Sequence, residues 1–251
     1  MNTSPPVLNA DNGNVSVQDT VTHVVSDGDV VLVVGPGQHK IQVSSHFLKL
    51  ISLVFRVMLD APMKEGQDLA SRYENDAPVE IILPGDKEAP MEQVLVTLYG
   101  ADPSSKNHLM REVKEIAILA EKYGTVDRLE IFSGFWLRST VNMRITEISD
   151  NAWNALVSAY ILKIDWAFFS VSMAMVKTKT SLLKFAASFH DKHTGMRLGM
   201  AIEELRSTYL GQKGITKPVE KGLCLFCFSL ATDSFTRQRQ GCHSPDRHFN
   251  V

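Results

Sequence analysis

The sequence predicts an α+β fold, a small β-sheet flanked by α-helices, followed by an all-helical C-terminal region. Three observations predict it. Across residues 29–59 the hydrophobic period changes twice, from continuous to alternating to helical. A second strand-like run at residues 79–83 leads into apolar residues at helical spacing. Beyond residue 145 the apolar positions recur mainly in helical stripes.

Val30 to Val34 is an unbroken run of β-branched residues and one leucine, the pattern of a strand covered on both faces and so central to a sheet. Gly35-Pro36-Gly37 supplies a turn, because proline presets φ and glycine reaches positive φ without a clash. Ile41 and Val43 then alternate with Lys40 and Gln42, which reads as the half-buried second strand of a hairpin. Ser44 or Ser45 offers a helix cap, after which Leu48, Ile51, Phe55, Met58 and Leu59 form one stripe, with Ser52 placed to cap a second helix within it.

Residues 60–78, DAPMKEGQDLASRYENDAP, are polar and broken by Pro62, Gly66 and Pro78, so a long loop is expected. Val79 to Leu83 is a strand stopped by Pro84 and Gly85. A helix starting at Asp86 or a neighbour carries Met91, Val94, Leu95, Leu98 and Tyr99 and ends at Gly100. Leu109 to Tyr123 has an apolar face of Val113, Ile116, Ala117 and Ala120, and Gly124 suits the position past its end. Val126 to Leu137 reads as one short helix.

Residues 1–26 are polar and lack a sustained period, so a disordered arm is expected, with Val21 to Val25 its one strand candidate. In residues 145–210 Ser149 or Asp150 caps a helix through Trp153, Leu156, Val157, Tyr160, Ile161 and Ile164. Two more helices run through Leu182 to Phe189 and through Ala201 to Tyr209. Residues 211–251 turn polar apart from GLCLFCFSL and read as a flexible tail with a Cys/His cluster.

Residues 27–137 resemble a BTB/POZ domain. Asp29, Val31, Val33, Val43, Leu48, Ser52 and Phe55 stand at the family's opening pattern. EIILPGD, LVTLYG and VKEIAILAEKYGTVDRLEIFSGFWL stand where it has its third strand, its Tyr-Gly turn and its closing helices. Ser44 occupies a position where the family often has histidine. The wording is closest to BTB proteins of filamentous fungi. The resemblance implies a protein-interaction module that self-associates as a homodimer through its first helices; some BTB proteins swap a leading strand across that dimer, and Val21 to Val25 is the one candidate for it here. It also implies an adaptor for a cullin-RING ubiquitin ligase: Met63 and Glu65 match the apolar-x-Glu triplet whose apolar side chain enters a pocket on the cullin, with an unknown protein substrate held by the helical region. Flexible methionine suits a shallow pocket. The competing implication is a scaffold or transcriptional co-regulator that never meets a cullin.

A net charge of -2 gives no general electrostatic reason to expect nucleic acid or an anionic membrane. The most apolar later stretch, Trp166 to Val176, is far shorter than the roughly 20 residues that span a bilayer. The opening residues lack the basic start and apolar core of a leader. With three cysteines, all beyond residue 220, the expectation is a reducing compartment, cytoplasmic or nuclear.

Cys224 and Cys227 with His243 and His248 have zinc-compatible spacing, and Cys242 is an equally good fourth ligand in a knuckle. A DNA-reading finger needs both histidines on one helix, against which Gly241 and Pro245 work. The other reading makes the cysteines small apolar residues, and no metal or cofactor is assigned on the sequence. His190-x2-His193 reads as a solvated helix end, and Gly35-Pro36-Gly37 lacks the pattern of a phosphate cradle. No nucleophile can be matched with a base, so a binding protein rather than an enzyme is expected.

Overall fold

The computed structural model describes residues 21–60, 62–73, 76–100, 108–140, 144–211 and 221–248, which form mixed α+β structure. Strands β1 (Val21–His23), β2 (Val30–Val34), β3 (His39–Val43) and β4 (Val79–Leu83) make one sheet in the order β1-β3-β2-β4. The continuous apolar run of β2 is indeed central, antiparallel to β3 and parallel to β4, with every residue buried. Gly35 takes φ 72° in the hairpin turn, and Gln38 follows at φ 52° with its N–H donating to the Gly35 carbonyl.

Part of the expected disordered arm is ordered. β1 pairs in parallel with β3 of the same chain, and Val24 is buried in the core. Thr22 Oγ1 lies 3.3 Å from His39 Nε2, which is 2.7 Å from Glu92 Oε2. Val24, the half-buried Val25 and backbone bonds to β3 and Gln42 hold this edge, too few apolar positions to register as a period. Residues 1–20 lie outside the described residues.

Helix α1 (Ser45–Ile51) is capped by neither Ser44 nor Ser45. The Asp29 carboxylate instead accepts from Ser45 N and Ser45 Oγ, each at 2.6 Å. Ser52 separates α1 from α2 (Leu53–Asp60) and works twice: its hydroxyl donates to the Tyr123 carbonyl at 2.6 Å and accepts from Phe55 N at 3.1 Å. Residues 64–71 are not loop but helix α3 (Lys64–Ser71). Glycine inside a helix costs only about 1 kcal/mol, so Gly66 is accommodated there, and Leu69 packs against the core.

Helices α4 (Glu88–Tyr99) and α5 (Met110–Tyr123) end at Gly100 and Gly124, both left-handed. Asp86 lies before the helix and is buried, where it accepts from Lys122 and Tyr123. The expected helix from Val126 to Leu137 is instead a 3-10 turn, Val126–Leu129, running into α6 (Glu130–Trp136). Such tightening is common at helix starts.

Helix α7 (Asp150–Ile161) is capped by the Ser149 hydroxyl, which accepts from Ala152 N, and packs on α5. Helix α8 (Asp165–Met175) covers most of the strongly apolar stretch Trp166 to Val176, and it buries Ala167, Phe168, Val171 and Met175. Helices α9 (Leu183–Ser188) and α10 (Lys192–Gly211) follow. Gly195 brings them close, since a Cβ there would lie 2.4 Å from the Ala186 carbonyl oxygen. Among the described residues no helix is long and apolar enough to cross a membrane.

Residues 221–248 are not a flexible tail. Leu223, Leu225 and Phe228 join the core, the last two from α11 (Leu225–Ser229). Leu223 N donates to Ser172 Oγ at 2.8 Å, Leu225 N to Asp165 at 3.2 Å, and Arg197 to the Phe228 carbonyl at 3.0 Å. The polar composition that suggested a tail is satisfied by partners distant in sequence. One continuous core runs from the sheet through α5 and α7 to α11.

Candidate functional site

Met63 occupies the position before α3 with half its surface exposed, and its carbonyl accepts from Gln67 N at 2.9 Å. Glu65 lies in the first turn of α3 and is partly buried. Acidic residues suit that turn because the helix dipole leaves positive charge there. The two residues therefore stand at a helix start rather than on a loop.

The neighbouring helices present apolar side chains to solvent. Leu53 and Val57, one turn apart on α2, are 66% and 52% exposed, flanked by Val54 and by Leu50 at the end of α1. The opposite side of α2 buries Phe55 and Leu59. Lys49 Nζ lies 2.6 Å from Asp60 and ties the two helices together.

The second cluster is in the C-terminal segment. Cys224 immediately precedes α11 and Cys227 lies in its first turn, a spacing that puts both sulfurs on one side. Gly241, at φ 84°, turns the chain into Cys242, and a 3-10 turn, Pro245–Arg247, delivers His248. The ligand atoms of Cys224, Cys227, Cys242 and His248 all lie within 4.8 Å of one another. The sulfurs of Cys224 and Cys242 are 3.7 Å apart, and His248 Nε2 is 3.4 Å from the sulfurs of both Cys227 and Cys242. Arg239 N donates to the Cys227 sulfur and Ser244 N to the Cys242 sulfur. The other ring nitrogen, His248 Nδ1, is 3.1 Å from the Thr236 carbonyl.

Burial pushes the Cys224 thiol up and the Cys227 thiol to about 12; the Cys242 sulfur adds to both shifts and Cys224 adds to that of Cys227, while hydrogen bonds from Cys227 work against that of Cys224. His243, the alternative ligand by spacing, is exposed and outside the cluster. The Cys-x2-Cys spacing signalled the site in the sequence; the turns at Gly241 and Pro245 decided that Cys242 rather than His243 joins it with His248. His190 and His193 are exposed.

A groove of about 470 Å³ runs between α4 and α5, lined by Lys87, Gln93, His108, Arg111, Glu112 and Glu115. Lys87 pairs with Glu115 at 2.5 Å across it, and His108 Nδ1 lies 3.7 Å from the Glu112 carboxylate. A scan against protein-family models and a search of curated proteins found no match to the chain.

Proposed function

We propose that the protein is a BTB/POZ-type interaction module that self-associates as a homodimer and serves as a substrate adaptor for a cullin-RING ubiquitin ligase. The observation that carries this reading is the exposed apolar run Leu50, Leu53, Val54 and Val57 on the first two helices, where the resemblance expects self-association. Apolar side chains grouped this way on a water-facing helix mark an interaction site more often than single exposed ones do. Met63 supports the adaptor half: it is exposed, adaptable and held at a helix start beside Glu65. The helical region then holds the protein substrate.

Light scattering of the full chain, alone and with a purified cullin amino-terminal domain, tests both halves. The expected result is a dimer that shifts to a larger complex with cullin, and loses that shift when Met63→Ala and Glu65→Ala are combined. A dimer indifferent to cullin removes the adaptor assignment and leaves the scaffold or co-regulator reading. A monomer indifferent to cullin removes both.

A further inference from the structure

We infer that Cys224, Cys227, Cys242 and His248 bind one Zn²⁺ in a closed Cys3His site that ties the start of residues 221–248 to their end, and so holds the shape in which this segment packs on the helical half of the protein. All four donor atoms lie within 4.8 Å of one another, and three of their separations can be set against those of a tetrahedral site. With Zn–S about 2.3 Å and Zn–N about 2.0–2.1 Å, tetrahedral ligands stand about 3.8 Å apart for two sulfurs and about 3.6 Å for sulfur and nitrogen. The corresponding separations are 3.7 Å and 3.4 Å.

The surroundings of the four donors point the same way. The Thr236 carbonyl faces His248 Nδ1, which fixes the proton on that nitrogen and leaves Nε2 free to coordinate, the usual outer arrangement of a zinc histidine. Backbone N–H groups aimed at two of the sulfurs stabilise thiolates, a service that an apolar cysteine does not need. Soft thiolates with one imidazole in tetrahedral array select zinc over the hard oxygen-seeking cations. Four protein ligands leave no open position, so the ion is structural.

Binding is an exchange without redox change: three thiols release three protons to solvent as three Zn–S bonds form, and neutral His248 donates its Nε2 lone pair. The ion joins the start of the segment to its end. Between those ends lie Phe228, packed against Phe168, and the Ser234 to Thr236 turn that binds Glu204. Arg247, one residue before the last ligand, pairs with Asp165 on α8.

The test is elemental analysis of the full chain purified without chelator under reducing conditions, with Co²⁺ uptake as a spectroscopic check. The expected result is one zinc per chain, a Co²⁺ form with thiolate-to-metal absorption and tetrahedral visible bands, and cysteines that alkylate only after the metal is stripped. Loss of outer-shell support alone costs roughly 10–100-fold in affinity, so Cys242→Ser, which removes a ligand, is expected to lose at least tenfold, while His243→Ala keeps wild-type zinc. Protein that takes up neither Zn²⁺ nor Co²⁺, that holds iron instead, or that is found with Cys224 bonded to Cys242 overturns the assignment. Loss of zinc from His243→Ala overturns the ligand set. The wild-type measurements decide the matter even if Cys242→Ser fails to fold.

Discussion

The Tyr123 hydroxyl donates to the buried Asp86 carboxylate at 2.6 Å, joining the last residue of α5 to the turn after β4. Lys122 Nζ reaches the other carboxylate oxygen at 2.5 Å. Burial first, and then Asp86, holds the Tyr123 hydroxyl far above its ordinary value, so it remains a donor. Asp86→Ala is expected to destabilise by about 2–3 kcal/mol and Tyr123→Phe by about 1–1.5 kcal/mol, because each strands a buried polar partner. Urea unfolding of both single variants and the double variant measures this. Since the residues share one contact, the double variant should cost less than the sum, and additive costs would sink the coupling.

Gly195 lets α10 approach the Ala186 carbonyl more closely than any side chain permits. Gly195→Ala should therefore destabilise by about 1–3 kcal/mol, the usual range for forcing extra atoms into a packed contact, although alanine is the better helix former. A thermal melt with unchanged or raised Tm would show that the two helices separate freely.

Glu204 gives a pH dependence of known sign. Burial pushes its carboxyl up, but hydrogen bonds from Phe235 N, Ser234 Oγ, and Thr236 Oγ1 and N outweigh this and hold it below the ordinary range. A depressed folded-state pKa contributes stability that is fully present above the unfolded value, roughly 4.3, and is lost as pH falls through the folded value. Glu204→Gln should be less stable than wild type at pH 7, and in melts at successively lower pH the gap should begin to narrow below the unfolded value, roughly 4.3, and close once pH is below the folded value. A gap that stays constant with pH would assign the effect to something other than this carboxylate.

Leu53→Glu combined with Val57→Glu places charge in the middle of the exposed apolar face of α2. Neither side chain is in the core, so the melting temperature measured at low protein concentration should change little. On the proposed dimer, sedimentation should show a dissociation constant raised at least tenfold, since burying unpaired carboxylates at an interface is unfavourable. An unaltered dimer would place self-association elsewhere on the molecule.

Elements whose signal is local were legible in the sequence. The β2 run, the Gly35 turn, the alternation of Ile41 and Val43, the stripe of α5 and the left-handed glycines at 100 and 124 all follow from side-chain size and period, and all stand in the structure. Helix α3 was hidden because its composition is polar, with an internal glycine and prolines on either side, so that composition and breakers outweighed its helical spacing. Helix α8 was hidden for the opposite reason, its apolar residues leaving no polar face to set a stripe.

For the candidate metal centre, the sequence determined the ligand types and the range of spacings, since both are properties of the chain alone. It left Cys242 and His243 as rivals for one position. Only the tertiary structure decided between them: the turn at Gly241 and the 3-10 turn at Pro245 aim Cys242 inward and leave His243 in solvent, while Thr236 orients His248 from twelve residues away. The same holds for the segment as a whole. Its polar composition is a local property and read as a tail, whereas its order comes from partners such as Asp165, Ser172, Arg197 and Glu204, whose proximity exists only once the helices have packed.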